Sequence, residues 1–313
     1  DTEQFRNGSE TDLVTGTTAN QVGPDVYPVR DFPTSRTRRT GIYLQDSITI
    51  GSMTVSPGVR WDRYELTPVV DDIFAEDNPG VVTASLDEDR ASPKLGILWN
   101  AGEHWTAYAQ YAEGYRAPPA NDVNVGFTNY QFGYTALANP DLKSETSIGH
   151  EIGLRYAGDA AAWQLAVFET DYDDFIESFQ VVGFDPVNQL IQFQSVNVDE
   201  VAIEGAEFKG QFVLPALAEQ LTIRLALAYA DGRNKTTGEP LNSVAPLNGV
   251  IGLDFEQAAG RWGASLVARA ARSQSDLDET NGELLSPAGY AVFDTFGFWQ
   301  PLENTRLRAG IYN

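Results

Sequence analysis

Period-two alternation of apolar and polar residues runs through most of this chain, and it constrains the fold more than any other feature. Ile42, Leu44, Ile48 and Ile50 alternate with Tyr43, Gln45, Ser47 and Thr49. Met53, Val55, Val59 and Trp61 alternate with Thr54, Ser56, Arg60 and Asp62. The same pattern joins Leu221, Ile223, Leu225, Leu227 and Tyr229, then Ile148, Ile152, Leu154 and Tyr156, then Trp262, Ala264, Leu266 and Ala268. One apolar face and one polar or small face is the pattern of half-buried strands. About twelve strands are expected, near 40–50, 53–64, 92–99, 105–115, 146–157, 162–171, 201–213, 221–231, 246–256, 262–271, 289–299 and 305–312. Pro215–Gln220 is the one helix-compatible stretch, too short to be a domain element.

The connections alternate in length. Short ones fall near Gly51-Ser52, Ala101-Gly102-Glu103, Gly158-Asp159, Pro215-Ala216, Ala259-Gly260 and Pro301-Leu302. Long ones cover roughly 65–91, 116–145, 172–200, 232–245 and 272–288. Tight turns on one side and long loops on the other are the organisation of an outer-membrane β-barrel, whose strands need about ten residues to cross the hydrocarbon layer. The polar face, with Arg60, Arg155, Arg224, Arg306, Arg308, Glu151 and Thr222, would line the lumen. In a soluble sandwich the same residues would form the solvated face. Trp61, Trp99, Trp105, Trp163, Trp262 and Trp299 all lie near turns or strand ends, as an interfacial aromatic girdle requires.

Composition removes other classes. There are 44 Asp and Glu against 21 Lys and Arg, a net charge of −23, so nucleic acid is not an expected partner. With no Cys, a disulfide scaffold and a Cys-ligated metal are excluded. No apolar run reaches transmembrane-helix length. The acidic clusters Asp71-Asp72, Asp87-Glu88-Asp89 and Asp171-Tyr172-Asp173-Asp174 lack calcium-loop spacing, and solvated loop charge or contact with cation-bridged lipopolysaccharide fits them better. No nucleophile elbow, zinc-protease motif or phosphate loop occurs, so no catalytic residue and no metal site is assigned and an enzyme is not expected.

If the long loops lie outside, strand 40–50 runs inward and strand 305–312 runs outward. Both chain ends then fall on the outer side. The expectation is a partial barrel: an extracellular loop region at 1–39, then a barrel domain at 40–313, with earlier strands before Asp1 and at least one strand after Asn313. A barrel that large needs a plug or an open channel in its lumen.

Segment 92–156 carries a resemblance. Ser92-Pro93-Lys94-Leu95-Gly96, Tyr108-Ala109-Gln110-Tyr111 and Glu113-Gly114-Tyr115-Arg116-Ala117-Pro118 are followed by Asp122-Val123-Asn124-Val125-Gly126-Phe127-Thr128-Asn129 and Asn139-Pro140-Asp141-Leu142-Lys143-Ser144-Glu145-Thr146. These resemble a TonB-dependent outer-membrane receptor of the heme/hemoglobin (transferrin/lactoferrin) group. Such receptors flank one extracellular loop with two boxes, which here read Tyr115-Arg116-Ala117-Pro118 and Asn139-Pro140-Asp141-Leu142. The resemblance implies an all-β fold, part of a 22-stranded antiparallel transmembrane barrel. It also implies an N-terminal plug and TonB contact outside this chain, an outer-membrane location among lipid and lipopolysaccharide, and import of heme or iron from a carrier. It implies no intrinsic cofactor; heme would be the transported ligand. A siderophore receptor, or a passive porin-like or adhesin-type barrel, are the alternatives.

One departure from that group concerns the iron ligand. The loop between the boxes has no His; His104 falls at a turn and His150 at the outer rim. Tyr130 and Tyr134 could hold heme iron instead; their other reading is packing against Phe127 and Phe132. Arg116 could pair with a propionate or fix the loop base.

Overall fold

A computed structural model describes residues 4–23, 25–214, 220–280 and 285–313. Twelve strands form one continuous antiparallel sheet in chain order. They are β1 (Thr34–Gln45), β2 (Met53–Val69), β3 (Leu86–Asn100), β4 (Trp105–Arg116), β5 (Glu145–Ala157) and β6 (Ala161–Asp185). They continue with β7 (Leu190–Leu214), β8 (Gln220–Asn234), β9 (Asn248–Glu256), β10 (Trp262–Ala271), β11 (Tyr290–Leu302) and β12 (Thr305–Ile311). Ile48–Ile50 continues the line of β1 against β2. Each strand pairs with its sequence neighbour, and β1 and β12 form the two edges.

The twelve expected strands are all present, but several boundaries move. β1 begins at Thr34 rather than residue 40. The expected long loop at 172–200 is a correction: β6 and β7 continue through it as a hairpin, each 25 residues long, closed by a turn at 186–189. At about 3.3 Å per residue such a strand is ~80 Å long, several times an apolar band ~25 Å tall. The extension is rich in β-branched and aromatic residues (Phe175, Ile176, Val181, Phe184, Ile191, Phe193, Val196), so it keeps strand geometry above the bilayer level, with register shifts between Glu177 and Gln180 and between Val181 and Gly183. The short connection expected at Pro215-Ala216, and most of the helix-compatible stretch at Pro215–Gln220, lie outside the described residues.

Register separates the two faces. On the apolar face, Trp105 opposes Tyr156, which opposes Trp163, and their rings pack at 4.9 Å and 6.1 Å. Phe255 and Trp262 pack at 4.9 Å, and Trp262 sits opposite Trp299. These rows lie beside the short turns. Further along the strands the face is aliphatic (Ile42, Leu44, Val59, Leu95, Ile97, Ile152, Leu165, Leu227), until Trp61 marks its outer limit. There the Trp61 indole Nε1 donates to Asp89 at 3.1 Å, and beyond it Arg63 pairs with Asp87 at 2.8 Å. His150 stands on this face against Tyr111, ring centroids 5.4 Å apart, while His104 lies at the β3–β4 turn with Nδ1 2.8 Å from the Ala157 carbonyl. An aliphatic band between two aromatic rims, with charge beginning above it, is the surface that faces lipid.

The opposite face is polar. Tyr108 donates to Glu151 at 2.6 Å, Arg155 lies over the Tyr108 ring at 4.6 Å, and Arg224 makes a bidentate pair with Asp254 at 2.7 and 2.9 Å. Arg306 covers the Phe298 ring at 4.0 Å. Arg60, Arg155, Arg224, Arg306, Arg308, Glu151 and Thr222 all share this face by register. Within the chain the buried apolar core is small. It sits at the mouth, where Tyr64, Leu66, Val123, Leu142 and Ile176 are buried together.

The boxed loop and the lumenal mouth

Box one ends β4 and box two leads into β5, so the loop between them springs from one strand junction. Arg116 opposes Glu145 in the ladder, and its Nη1 donates to Glu145 Oε2 at 3.4 Å. The same oxygen accepts the Ile176 amide at 3.0 Å, and Glu145 is buried. This carboxylate therefore ties β4, β5 and β6 at the base of the loop. Tyr115 donates to Glu88 at 3.1 Å, and Ser144 also hydrogen-bonds Glu88.

Beyond Arg116 the chain turns over the mouth. Ala117 packs on the core and Pro118 is fully buried. Pro119 precedes the single-turn helix α1 (Ala120–Val123), where fixed φ suits a helix start. Val123 and Leu142 then dock on Tyr64, Leu66 and Ile176. Asn139 accepts the Asp141 amide at 3.1 Å and donates through Nδ2 to the Ser195 carbonyl at 2.8 Å, while its own amide reaches the Asp122 carbonyl at 3.3 Å. Pro140 is half-buried and Asp141 points to solvent. Lys143 pairs with Asp174 at 3.0 Å, which holds its ammonium above its usual pKa. Both boxes thus anchor the loop, and among their residues the Arg116 guanidinium is the charged group left half-exposed at the mouth.

Two Asn residues not singled out by sequence reasoning complete the anchor. Fully buried Asn124 accepts the Ala84 amide at 2.7 Å and donates to the Ala84 carbonyl at 3.0 Å. Asn197 accepts the Lys143 amide at 2.8 Å and donates to the carbonyls of Lys143 at 3.0 Å and Asp174 at 2.7 Å. The only sequence signal for either is a side-chain amide in a segment of apolar or turn residues, since an Asn amide presents the same donor and acceptor as a peptide group.

The rest of the loop is a hairpin, Gly126–Asn129 with Tyr134–Leu137, closed over residues 130–133. Gly133 in that turn has φ +69, a left-handed conformation that a side chain would strain. The second strand pairs in parallel with Ile191–Gln194 of β7. The result is a four-stranded arm above the mouth: hairpin, upper β7 and upper β6. One face of the arm carries Phe127, Tyr134 and Phe193, with Tyr134 5.7 Å from Phe127 and edge-on to Phe193 at 5.9 Å. Tyr134 is therefore packed, against Phe127 as expected but against Phe193 rather than Phe132. Tyr130 and Phe132 sit at the exposed tip, 49% and 72% accessible. Of the two candidate iron ligands, Tyr130 is the more exposed. Among the described residues no group of three or more His, Asp or Glu side chains converges as a metal site.

A family model described as TonB dependent receptor-like, beta-barrel matches residues 2–313. The hemoglobin-haptoglobin utilization protein B of Neisseria meningitidis serogroup C is 28% identical over 298 residues, covering 83% of this chain and 36% of its own length. The hemoglobin and hemoglobin-haptoglobin-binding protein B of Haemophilus influenzae is 23% identical over 354 residues, covering 91% of this chain and 33% of its own. Among solved structures the copper transporter OprC superposes with a TM-score of 0.76 over 99% of this chain and 46% of that one, at 20% identity, which speaks for the fold alone. The chain spans about a third of the length of the curated relatives it matches.

Proposed function

This chain belongs to the TonB-dependent receptor β-barrel family, and from that premise we propose that the complete protein imports heme, or iron drawn from hemoglobin-type carriers, across the outer membrane. The chain is a partial barrel of an outer-membrane protein. The observation that carries the ligand reading is the arm. The boxes and their Asn partners hold the loop rigidly over the mouth, and the loop presents Tyr130 and Phe132 at the tip of an aromatic sheet face. A flat apolar macrocycle with iron at its centre needs aromatic surface and an axial donor, and a phenolate is one such donor. Relatives named for hemoglobin-haptoglobin utilization and binding support the same class of cargo. Arg116 at the mouth would meet a propionate. Transport itself requires a plug and the TonB system; this segment supplies capture and part of the conduit.

The test is a hemin titration of the complete receptor in detergent, followed at the Soret band. The expected result is a saturable shift that is weakened at least tenfold by Tyr130→Phe and unchanged by Tyr134→Phe. A saturable shift insensitive to both substitutions removes tyrosine ligation and keeps heme. No saturable shift removes free heme as the ligand. A ferric siderophore is then the second reading.

A further inference from the structure

Residues that precede β1 reach forward onto the boxed loop. Arg6 and Val29 form a reciprocal backbone bridge, with N–H···O distances of 2.8 and 3.0 Å. The Tyr27 ring lies against Gly8, where a Cβ would meet it at 2.8 Å. This pairing makes residues 6–8 and 27–29 one strap. From it Val29, Arg30 and Asp31 run inward and are buried. They are gripped on both sides. On one side stands the short helix Asp72–Asp77 with its flanking residues. Asp77 accepts the Arg30 amide at 3.2 Å, Asp71 pairs with the Arg30 guanidinium at 3.0 Å, and Asn78 donates to the Arg30 carbonyl at 2.8 Å. On the other side stands the loop hairpin, whose Gly126 amide donates to the Asp31 carbonyl at 2.8 Å. Gly126 also lies flush against Asn78, in space that a Cβ would need.

The strap ends on an aromatic ring. The Arg6 guanidinium is forked onto the buried Asp31 carboxylate, through Nε at 2.9 Å and Nη2 at 2.8 Å. Its Cζ lies 5.2 Å from the centroid of Phe127. Phe127 begins the aromatic face that Tyr134 and Phe193 continue. A bidentate pair with a buried acid fixes the guanidinium in place, so Arg6 does not drift off the ring as a lone surface cation would. A guanidinium over a ring also occupies the position where a second flat group would stack. The resting arm therefore has one end of its aromatic face covered by its own chain.

We propose that the Arg6–Asp31 strap is an autoinhibitory contact: it closes the Phe127 end of the aromatic face, and cargo lies flat on that face only after Arg6 has left it. The inference rests on the reading of the arm as the capture surface. Its content is a competition. An arm whose face is open for part of the time binds with an affinity reduced by that fraction. A single cation–π stack is weak enough for a large planar ligand to displace, because such a ligand covers Tyr134 and Phe193 as well. A small ring that meets Phe127 alone gains too little to do so. The strap thus shields apolar surface in the empty receptor and selects for size.

The experiment titrates hemin into the complete receptor in detergent, wild type and R6Q/D31N, at the Soret band. The double substitution removes the fork and the stack together, so no buried carboxylate is left without its partner. Hydrogen exchange of the peptide covering 134–137 checks that the arm keeps its fold. The expected result is hemin bound at least about threefold more tightly by R6Q/D31N, with protection at 134–137 retained. Weaker binding makes Arg6 a group that holds the ligand, and unchanged binding makes the stack incidental; either overturns the proposal. Lost protection at 134–137 assigns the strap to holding the arm in place, and overturns it equally. If hemin binds neither protein, the heme reading falls alone. The strap is then read in the empty receptor by hydroxyl-radical footprinting of Phe127: faster oxidation in R6Q/D31N sustains the cover, and equal oxidation ends it.

Discussion

Asn124 lies fully buried between α1 and the connection that precedes β3, with both ends of its amide on the Ala84 backbone. A peptide group would normally fill that role in a ladder, and here a side chain does so across forty residues of sequence. Truncation would leave the partly buried Ala84 N–H and C=O without their partners, at up to about 1–3 kcal/mol each. Asn124→Ala is therefore expected to lower the local opening free energy of the boxed loop by about 2–6 kcal/mol. The β5–β6 strands should be unaffected. Hydrogen exchange of peptides covering 117–144 and 146–171 in the detergent-solubilised receptor measures both. Equal protection in mutant and wild type would mean the loop is held by the apolar contacts of Val123 and Leu142 alone. Arg116 and Glu145 show the same logic with charge: the pair closes the loop base, and Glu145 also satisfies a backbone amide of β6.

The β6–β7 hairpin and the loop hairpin build a sheet that belongs to the receptor's exterior, and its aromatic face stands on Tyr134. That ring touches Phe127 on one side and Phe193 on the other, and among the described residues its hydroxyl has no hydrogen-bond partner. Tyr134→Phe should leave arm stability within about 0.5 kcal/mol, whereas Tyr134→Ala should cost about 2–4 kcal/mol through lost ring contacts and burial. Limited proteolysis at the 130–133 turn reads the difference; equal cleavage of the two variants would show that the arm is held by its backbone ladder and not by the ring. This element also marks where sequence reading stops. Alternation located all twelve strands, because a residue pair two apart shares a face wherever the strand lies. It could not show that β6 and β7 run on past the lipid, because register shifts between Glu177 and Gln180 and between Val181 and Gly183 break the period there. Nor could it show the parallel pairing of Tyr134–Leu137 with Ile191–Gln194, because that ladder joins segments far apart in sequence through backbone groups every residue carries. The boxes drew attention to the right loop, yet their positions read as ligand contacts and the structure uses most of them as anchors: Pro118 and Leu142 are buried, and Asn139 binds backbone.

Across the molecule, charge and hydrogen bonding are distributed by environment. Lipid-facing rows are aliphatic between their aromatic rims, carboxylates gather above them, and Arg and Lys concentrate on the lumenal face. The sheet that carries this pattern is open, with β1 and β12 as edges. An edge strand crossing the hydrocarbon presents about five N–H and five C=O groups with no partner, since a crossing takes ~10 residues and half its groups face each side. Each unsatisfied group costs several kcal/mol in lipid, so two such edges outweigh the ~5–15 kcal/mol that typically separates folded from unfolded domains. The 313-residue segment on its own is expected not to insert as a stable monomer. Folded into detergent, it should run at the same position on a gel whether or not it is boiled, and it should be digested by trypsin. A heat-modifiable, protease-resistant monomer would show that β1 and β12 can meet and close a smaller barrel.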